Sequence, residues 1–130
     1  MNYRIMVVDD EASVRRMIVS ILSSAGYQNV MEAEDGFAAC EVLRGIAENL
    51  RLVITDIRMP RMNGAELTNR IRADYPEIKV LCISAYSDPL SPNGHYFLAK
   101  PFTPKALLAM VKDVFEVPAD QQTAVSDFHP

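Results

Sequence analysis

Three acids, one hydroxyl and one amine stand where short apolar runs end. Val7-Val8 runs into Asp9-Asp10, Leu52-Val53-Ile54-Thr55 into Asp56, Val80-Leu81-Cys82-Ile83 into Ser84, and Tyr96-Phe97-Leu98-Ala99 into Lys100-Pro101. Continuous apolar runs of this length fit strands covered on both faces of a parallel sheet. Strands running side by side in one direction bring their carboxyl ends together, and open α/β sheets hold their ligand crevice there. Each residue also has a plain structural role open to it. Asp9 or Asp10 can cap the helix that follows, Ser84 can be an ordinary strand terminus, and Lys100 a solvated surface lysine. The combination is what carries chemistry: carboxylates for a divalent cation, an ammonium and a hydroxyl for phosphate oxygens. Two carboxylates about 4 Å apart repel by ~1 kcal/mol in water and ~4 kcal/mol at an effective dielectric of about 20. Three ionised together therefore call for a proton or a cation. Oxygen donors without a His or Cys cluster favour Mg²⁺ over zinc, and Asp56 is the residue on which phosphoryl chemistry would fall.

Other chemistries find no support. The residues after Val8 are Asp9-Asp10-Glu11-Ala12-Ser13, which match neither G-x-G-x-x-G nor the P-loop, so nucleotide binding is not expected. No Ser-His-Asp set is visible around His95 or His129. Cys40 and Cys82 fit no metal or redox spacing and read as reduced core thiols, one on a helix and one in a buried strand. The chain has 130 residues, 49% of them apolar and 23% charged, as expected for one soluble globular domain. A net charge of −4, with no basic cluster longer than Arg15-Arg16, argues against nucleic acid or an anionic membrane as a partner held by bulk charge. No signal peptide and no run of membrane-spanning length is visible, so the expected location is the cytoplasm.

The elements that must position these residues alternate. Strands are expected at Ile5–Val8, around Val30–Ala33, and at Leu52–Thr55, Lys79–Ile83 and Tyr96–Ala99. The first helix presents Val14, Met17, Ile18, Ile21 and Leu22 on one face and stops at Gly26. The second buries Ala39, Val42, Leu43 and Ile46, and the third, from about Ala65 to Asp74, is anchored by Leu67 and Ile71 and ended by Pro76. The last opens with Thr103 as N-cap and Pro104 at its first position, with an inner stripe of Leu107, Leu108, Val111, Val114 and Phe115. This alternation predicts an α/β doubly wound three-layer sandwich around a five-stranded parallel sheet. The connection from Ala85 to His95 carries Pro89, Pro92 and Gly94, too little chain for a full crossover helix, so the fourth helix is expected to be stunted or absent. Residues 1–117 form the expected domain, and 118–130 a polar tail without periodicity, read as flexible.

Together these stretches resemble the bacterial two-component response-regulator receiver domain, the CheY-like family. The matching segments are Val7-Val8-Asp9-Asp10-Glu11, Glu34-Asp35-Gly36, Asp56-Ile57-Arg58-Met59-Pro60-Arg61-Met62-Asn63-Gly64, Ser84-Ala85 and Lys100-Pro101-Phe102. The resemblance implies the flavodoxin-like strand order 2-1-3-4-5. It implies Asp56 as phosphoacceptor, taking a phosphoryl group from a sensor histidine kinase or a histidine phosphotransfer protein. Asp9, Asp10, Asp56 and the backbone carbonyl of Arg58 would hold Mg²⁺. Lys100 and Ser84 would contact the phosphoryl group, and Ser84 and Phe97 would report the switch. Ala85 would leave access to Asp56, while Arg58 and Tyr86 occupy positions that tune phosphoryl lifetime. Such a protein is not an enzyme in the usual sense, since it catalyses only its own phosphorylation and dephosphorylation. The short fourth-helix segment is similar to that of receivers attached to hybrid histidine kinases.

Two other readings compete. A phosphorylation-independent docking module on the same fold would explain the shortened connection, but such modules often lack one of the acids, and all are present here. A metal-dependent phosphoester hydrolase would need a substrate pocket and a second general acid, and the chain shows neither.

Overall fold

The computed structural model describes residues 4–85 and 96–116. Within them, β1 (Ile5–Val8), β2 (Val30–Ala33), β3 (Leu52–Asp56), β4 (Lys79–Ala85) and β5 (Tyr96–Lys100) form one sheet. The helices are α1 (Ala12–Ser24), α2 (Gly36–Ile46, continued by a 3₁₀ turn at Ala47–Asn49), α3 (Gly64–Asp74) and α4 (Pro104–Glu116). The strand order is β2-β1-β3-β4-β5, every neighbouring pair parallel, as expected. The segment expected to carry a stunted or absent fourth helix, Tyr86 and the tail at 118–130 lie outside the described residues.

Side-chain alternation along the strands divides the core in two. Met6, Val8, Val53, Val80 and Cys82 face a cluster with Ala39 and Leu43 of α2 and Leu67 and Ile71 of α3. Ile5, Val7, Leu52, Ile54, Leu81 and Ile83 face the other, with Ile18 and Leu22 of α1 and Leu107, Val111 and Val114 of α4. The sheet is thus the middle of three layers, and each buried Leu, Ile or Val contributes roughly 1.5–3 kcal/mol. Met17, expected on the inner face of α1, is 46% exposed. Only Ile18 and Leu22 of that stripe are fully enclosed, because the contact between α1 and the sheet is narrower than the apolar arc of the helix. Cys82 is buried in β4 and Cys40 half-buried on α2. Burial pushes the Cys82 thiol up to about 11, which keeps it protonated at neutral pH as a core thiol should be.

Local chemistry sets the helix boundaries near the site. Gly26, at φ 95°, turns the chain after α1 so that the Tyr27 amide reaches the Leu22 carbonyl at 3.0 Å. Asn63 and Glu66 form a capping box, with Glu66 N donating to Asn63 Oδ1 at 2.8 Å and Asn63 N to Glu66 Oε1 at 3.1 Å. Thr103 caps α4 through the Ala106 amide at 3.0 Å, as the sequence predicts. Three strands run past their apolar stretch: β3 takes in Asp56, β4 continues to Ala85 and β5 to Lys100.

Candidate functional site: an acidic cluster at the strand ends

The carboxyl ends of β1, β3, β4 and β5 do converge. Register places Val8 beside Thr55, Asp56 beside Ile83, Ser84 beside Ala99 and Ala85 beside Lys100. Asp9 leaves β1 with its amide donating to Ala33 O at 3.2 Å, and Asp56 is the last residue of β3. Carboxylate oxygens of Asp9, Asp10 and Asp56 lie within 4.8 Å of one another. Lys100 Nζ is 3.3 Å from Asp56 Oδ2. Asp9, Asp56 and Ser84 are buried and Asp10 is exposed. One face of the cluster is therefore wet and the opposite one closed.

Backbone contacts hold Asp56 still. Its Oδ1 accepts from the Ile57 amide at 2.8 Å, and its carbonyl accepts from Thr55 Oγ1 at 2.8 Å. The loop after it folds back so closely that a Cβ at Gly64 would lie 2.3 Å from the Asp56 carbonyl oxygen. Only glycine fits there, and the Gly64 amide closes the loop onto Ile57 O at 2.8 Å. Asp9 is held from outside the cluster. Its Oδ1 accepts from Glu11 N at 2.9 Å, while Arg15 Nη1 donates to its carbonyl at 2.8 Å and Arg15 Nε pairs with Glu32 at 2.9 Å.

The electrostatics of this arrangement favour a cation. Burial, then the nearby Asp56 and Asp10 charges, push Asp9 up to about 6, against the pull of the Glu11 amide and Lys100. Among the described residues the three carboxylates gather within 4.8 Å of one another while the Lys100 ammonium contacts only Asp56, so the cluster can take further positive charge. The donors are hard oxygens with no sulfur or imidazole among them, which suits Mg²⁺.

Every expected acid, Ser84 and Lys100 thus sit at one sheet end. Ala85, next to Ser84, is exposed, and Phe97 of β5 is half-buried against the α2/α3 side of the core. Arg58 lies in the loop after β3 and is exposed. Sequence reasoning missed the roles of Arg15, Thr55 and Arg61. Arg15 and Arg61 act through pairs separated by 17 and 26 residues, Arg15 with Glu32 and Arg61 with Asp35. No local pattern announces such pairs.

Comparison with known proteins agrees with this geometry. The sequence profile described as the response regulator receiver domain matches residues 5–112. Chemotaxis protein CheY1 of Helicobacter pylori (strain J99) is 38% identical over 112 residues, spanning 80% of this chain and 90% of that protein. Sensor kinase CckA of Brucella abortus is 34% identical over 118 residues, which are 86% of this chain and 12% of that kinase. A crystal structure of the receiver domain from the hybrid histidine kinase CckA superposes with a TM-score of 0.74 at 34% identity, covering 85% of this chain and 97% of that one. The chain belongs to the response regulator receiver domain family. Proteins of this class work in two-component systems, where receivers meet histidine kinases or phosphotransfer proteins. Among the described residues no helix is long and apolar enough to cross a membrane.

Proposed function

We propose that the chain is a phospho-accepting receiver of a phosphorelay, with Asp56 as the acceptor. An Asp56 carboxylate oxygen attacks the phosphorus of a partner's phosphohistidine. The O–P bond forms, the N–P bond breaks, and the bond's electron pair returns to the imidazole nitrogen. Asp9, Asp10, Asp56 and the Arg58 carbonyl would hold Mg²⁺. That cation would offset the carboxylate charge and the charge on the phosphoryl oxygens. Lys100, already at Asp56 Oδ2, supplies a second positive charge to the arriving group, and Ser84 an adjacent hydroxyl. Ser84 and Phe97 carry the switch, and Arg58 and Tyr86 tune how long the phosphoryl group survives. The chain acts as its own catalyst in gaining and losing phosphate, and is not an enzyme toward other substrates.

The observation that carries this reading is the enclosed Asp9 beside two further carboxylates and a lysine. Docking modules that work without phosphorylation often lack one of the acids, and here all three stand together. The test is an intact-mass measurement after incubation with Mg²⁺ and acetyl phosphate, run beside Asp56→Asn. One phosphoryl group on the native chain and none on the variant is the expected result. Equal labelling of both, or no labelling together with failure to bind beryllofluoride, would overturn it.

A further inference from the structure

The Asp35-Gly36 turn takes no part in the chemistry above, yet it grips the loop that follows Asp56. Asp35 is 5% exposed, and its two oxygens are used differently. Oδ1 caps α2 by accepting the Ala38 amide at 2.7 Å, and Oδ2 accepts from Arg61 Nη2 across the gap to the loop. Arg61 itself has φ 65°, a left-handed conformation that a residue with a side chain keeps only where its surroundings hold it. Its guanidinium also lies over the Phe37 ring, 5.5 Å from the centroid. The next residues lock in turn. A Cβ on Gly36 would stand 2.8 Å from the Met62 carbonyl oxygen and 2.9 Å from Met62 Cγ, so only glycine lets the loop lie this close. Cys40 Sγ, one turn further along α2, reaches Met62 Sδ at 3.8 Å. The loop is thus pinned at 61–62 to α2 and at Gly64 to the Asp56 carbonyl, with Arg58 between Asp56 and these anchors.

We infer that Asp35 and Arg61 are positioning residues for the cation site, holding the 57–63 loop in the shape that offers the Arg58 carbonyl. This assignment rests on the receiver reading above. Neither residue touches the cation; the pair acts through the backbone between them and Asp56.

Two measurements on the full chain test it. Amide hydrogen exchange needs no cation, and Gly64 supplies the reporting amide because it closes the loop onto the Ile57 carbonyl, whereas the Ile57 amide, which donates to Ile83 O of β4, serves as the sheet control. Arg61→Ala and Asp35→Ser, the latter keeping an N-cap side chain, should each speed Gly64 exchange while the α2 amides stay protected. Arg61→Lys, which can still pair with Asp35, should stay close to the native protein. By calorimetry each of the first two variants should weaken Mg²⁺ about tenfold, the size typical of residues that orient a ligand. The double variant should be no weaker than either single one, because both remove the same contact. Native exchange and native Mg²⁺ affinity in Arg61→Ala would overturn the assignment, as would Arg61→Lys behaving like Arg61→Ala. Loss of affinity in Asp10→Asn but not in Arg61→Ala would overturn it while leaving the receiver reading intact. A native chain that binds no Mg²⁺ would overturn both.

Discussion

Asp9 and Asp35 are both aspartates that follow a strand, both are nearly enclosed, at 2% and 5% exposure, and they answer burial in opposite ways. The Arg61 guanidinium and the Ala38 amide hold the Asp35 carboxyl below its ordinary value, outweighing the burial that would raise it. Asp9 is pushed up to about 6, because burial and two neighbouring acids outweigh the Glu11 amide and the Lys100 charge. Low exposure alone therefore does not decide how a buried acid ionises. At Asp9 desolvation is the largest cause and at Asp35 the Arg61 hydrogen bond is, so the balance of the two decides. Asp35 has its charge met by the fold itself, whereas Asp9 is left with a deficit that a divalent cation can fill.

The largest effect should come from closing that deficit. The folded chain holds a proton on Asp9 up to about pH 6, whereas the unfolded chain releases it near the ordinary value of 3.8. Between those limits the folded state binds more protons, so the Asp9 contribution to stability falls as pH rises through the window. At ~1.4 kcal/mol per pKa unit, the loss is at most about 3 kcal/mol by pH 7 without Mg²⁺. Urea midpoints from pH 4 to 7, native against Asp9→Asn, read this contribution together with its coupling to Asp56 and Asp10. The variant should gain on the native chain as pH rises, and Mg²⁺ should raise the native midpoint far more than that of the variant. A native chain that outgains Asp9→Asn over this range would break the comparison at its root.

Asp35 should show the reverse sign and a smaller size. Asp35→Ala removes the N-cap of α2 along with the partner of Arg61, and the loss of the cap alone is about 1–2 kcal/mol. Its carboxyl is held low, so the stability it provides is fully present above the ordinary carboxylate pKa and disappears as pH falls through the lowered value. Urea midpoints of native and Asp35→Ala should thus differ at pH 7 and converge in strong acid, and Mg²⁺ added at pH 7 should not erase the difference. A variant with the native midpoint at pH 7 would mean that Asp35 is no better served by its surroundings than Asp9.

Much of this contrast was legible before folding, though only its first half. Asp9, Asp10, Asp56, Ser84 and Lys100 announced themselves because each interrupts an apolar run, and a parallel sheet then gathers run ends automatically. The strand ends were read short by one or two residues, since ladder pairing such as Asp56 with Ile83 and Ala85 with Lys100 continues where the apolar pattern has stopped. Met17 was read as inward because its spacing fits the stripe, yet spacing says nothing of how wide the covering surface is. Asp35 and Arg61 were each visible inside a motif, but their pairing was not. Arg61 lies 26 residues on, in a loop whose path depends on Gly36 and Gly64 admitting backbone at close range.

The smallest effect belongs to an acid whose partner is as near and whose surroundings are open. Glu41 Oε1 and Arg44 Nη1 are 2.9 Å apart on α2, the same separation as Arg15 Nε and Glu32 Oε1. The difference lies in what surrounds the arginines. Arg44 is 69% exposed, whereas Arg15 is 15% exposed and also donates to the Asp9 carbonyl. In water the attraction of an exposed pair is screened and offset by the entropy of holding two long side chains in place. Glu41→Gln should move the urea midpoint by no more than about 0.5 kcal/mol in stability, with a shift that shrinks further in salt. A shift as large as that of Asp35→Ala would mean that separation, and not enclosure, governs these pairs. Burial, the largest cause of the raised carboxyl of Asp9, would then lose its place in that account, and the acid at the strand ends would need a different physical cause.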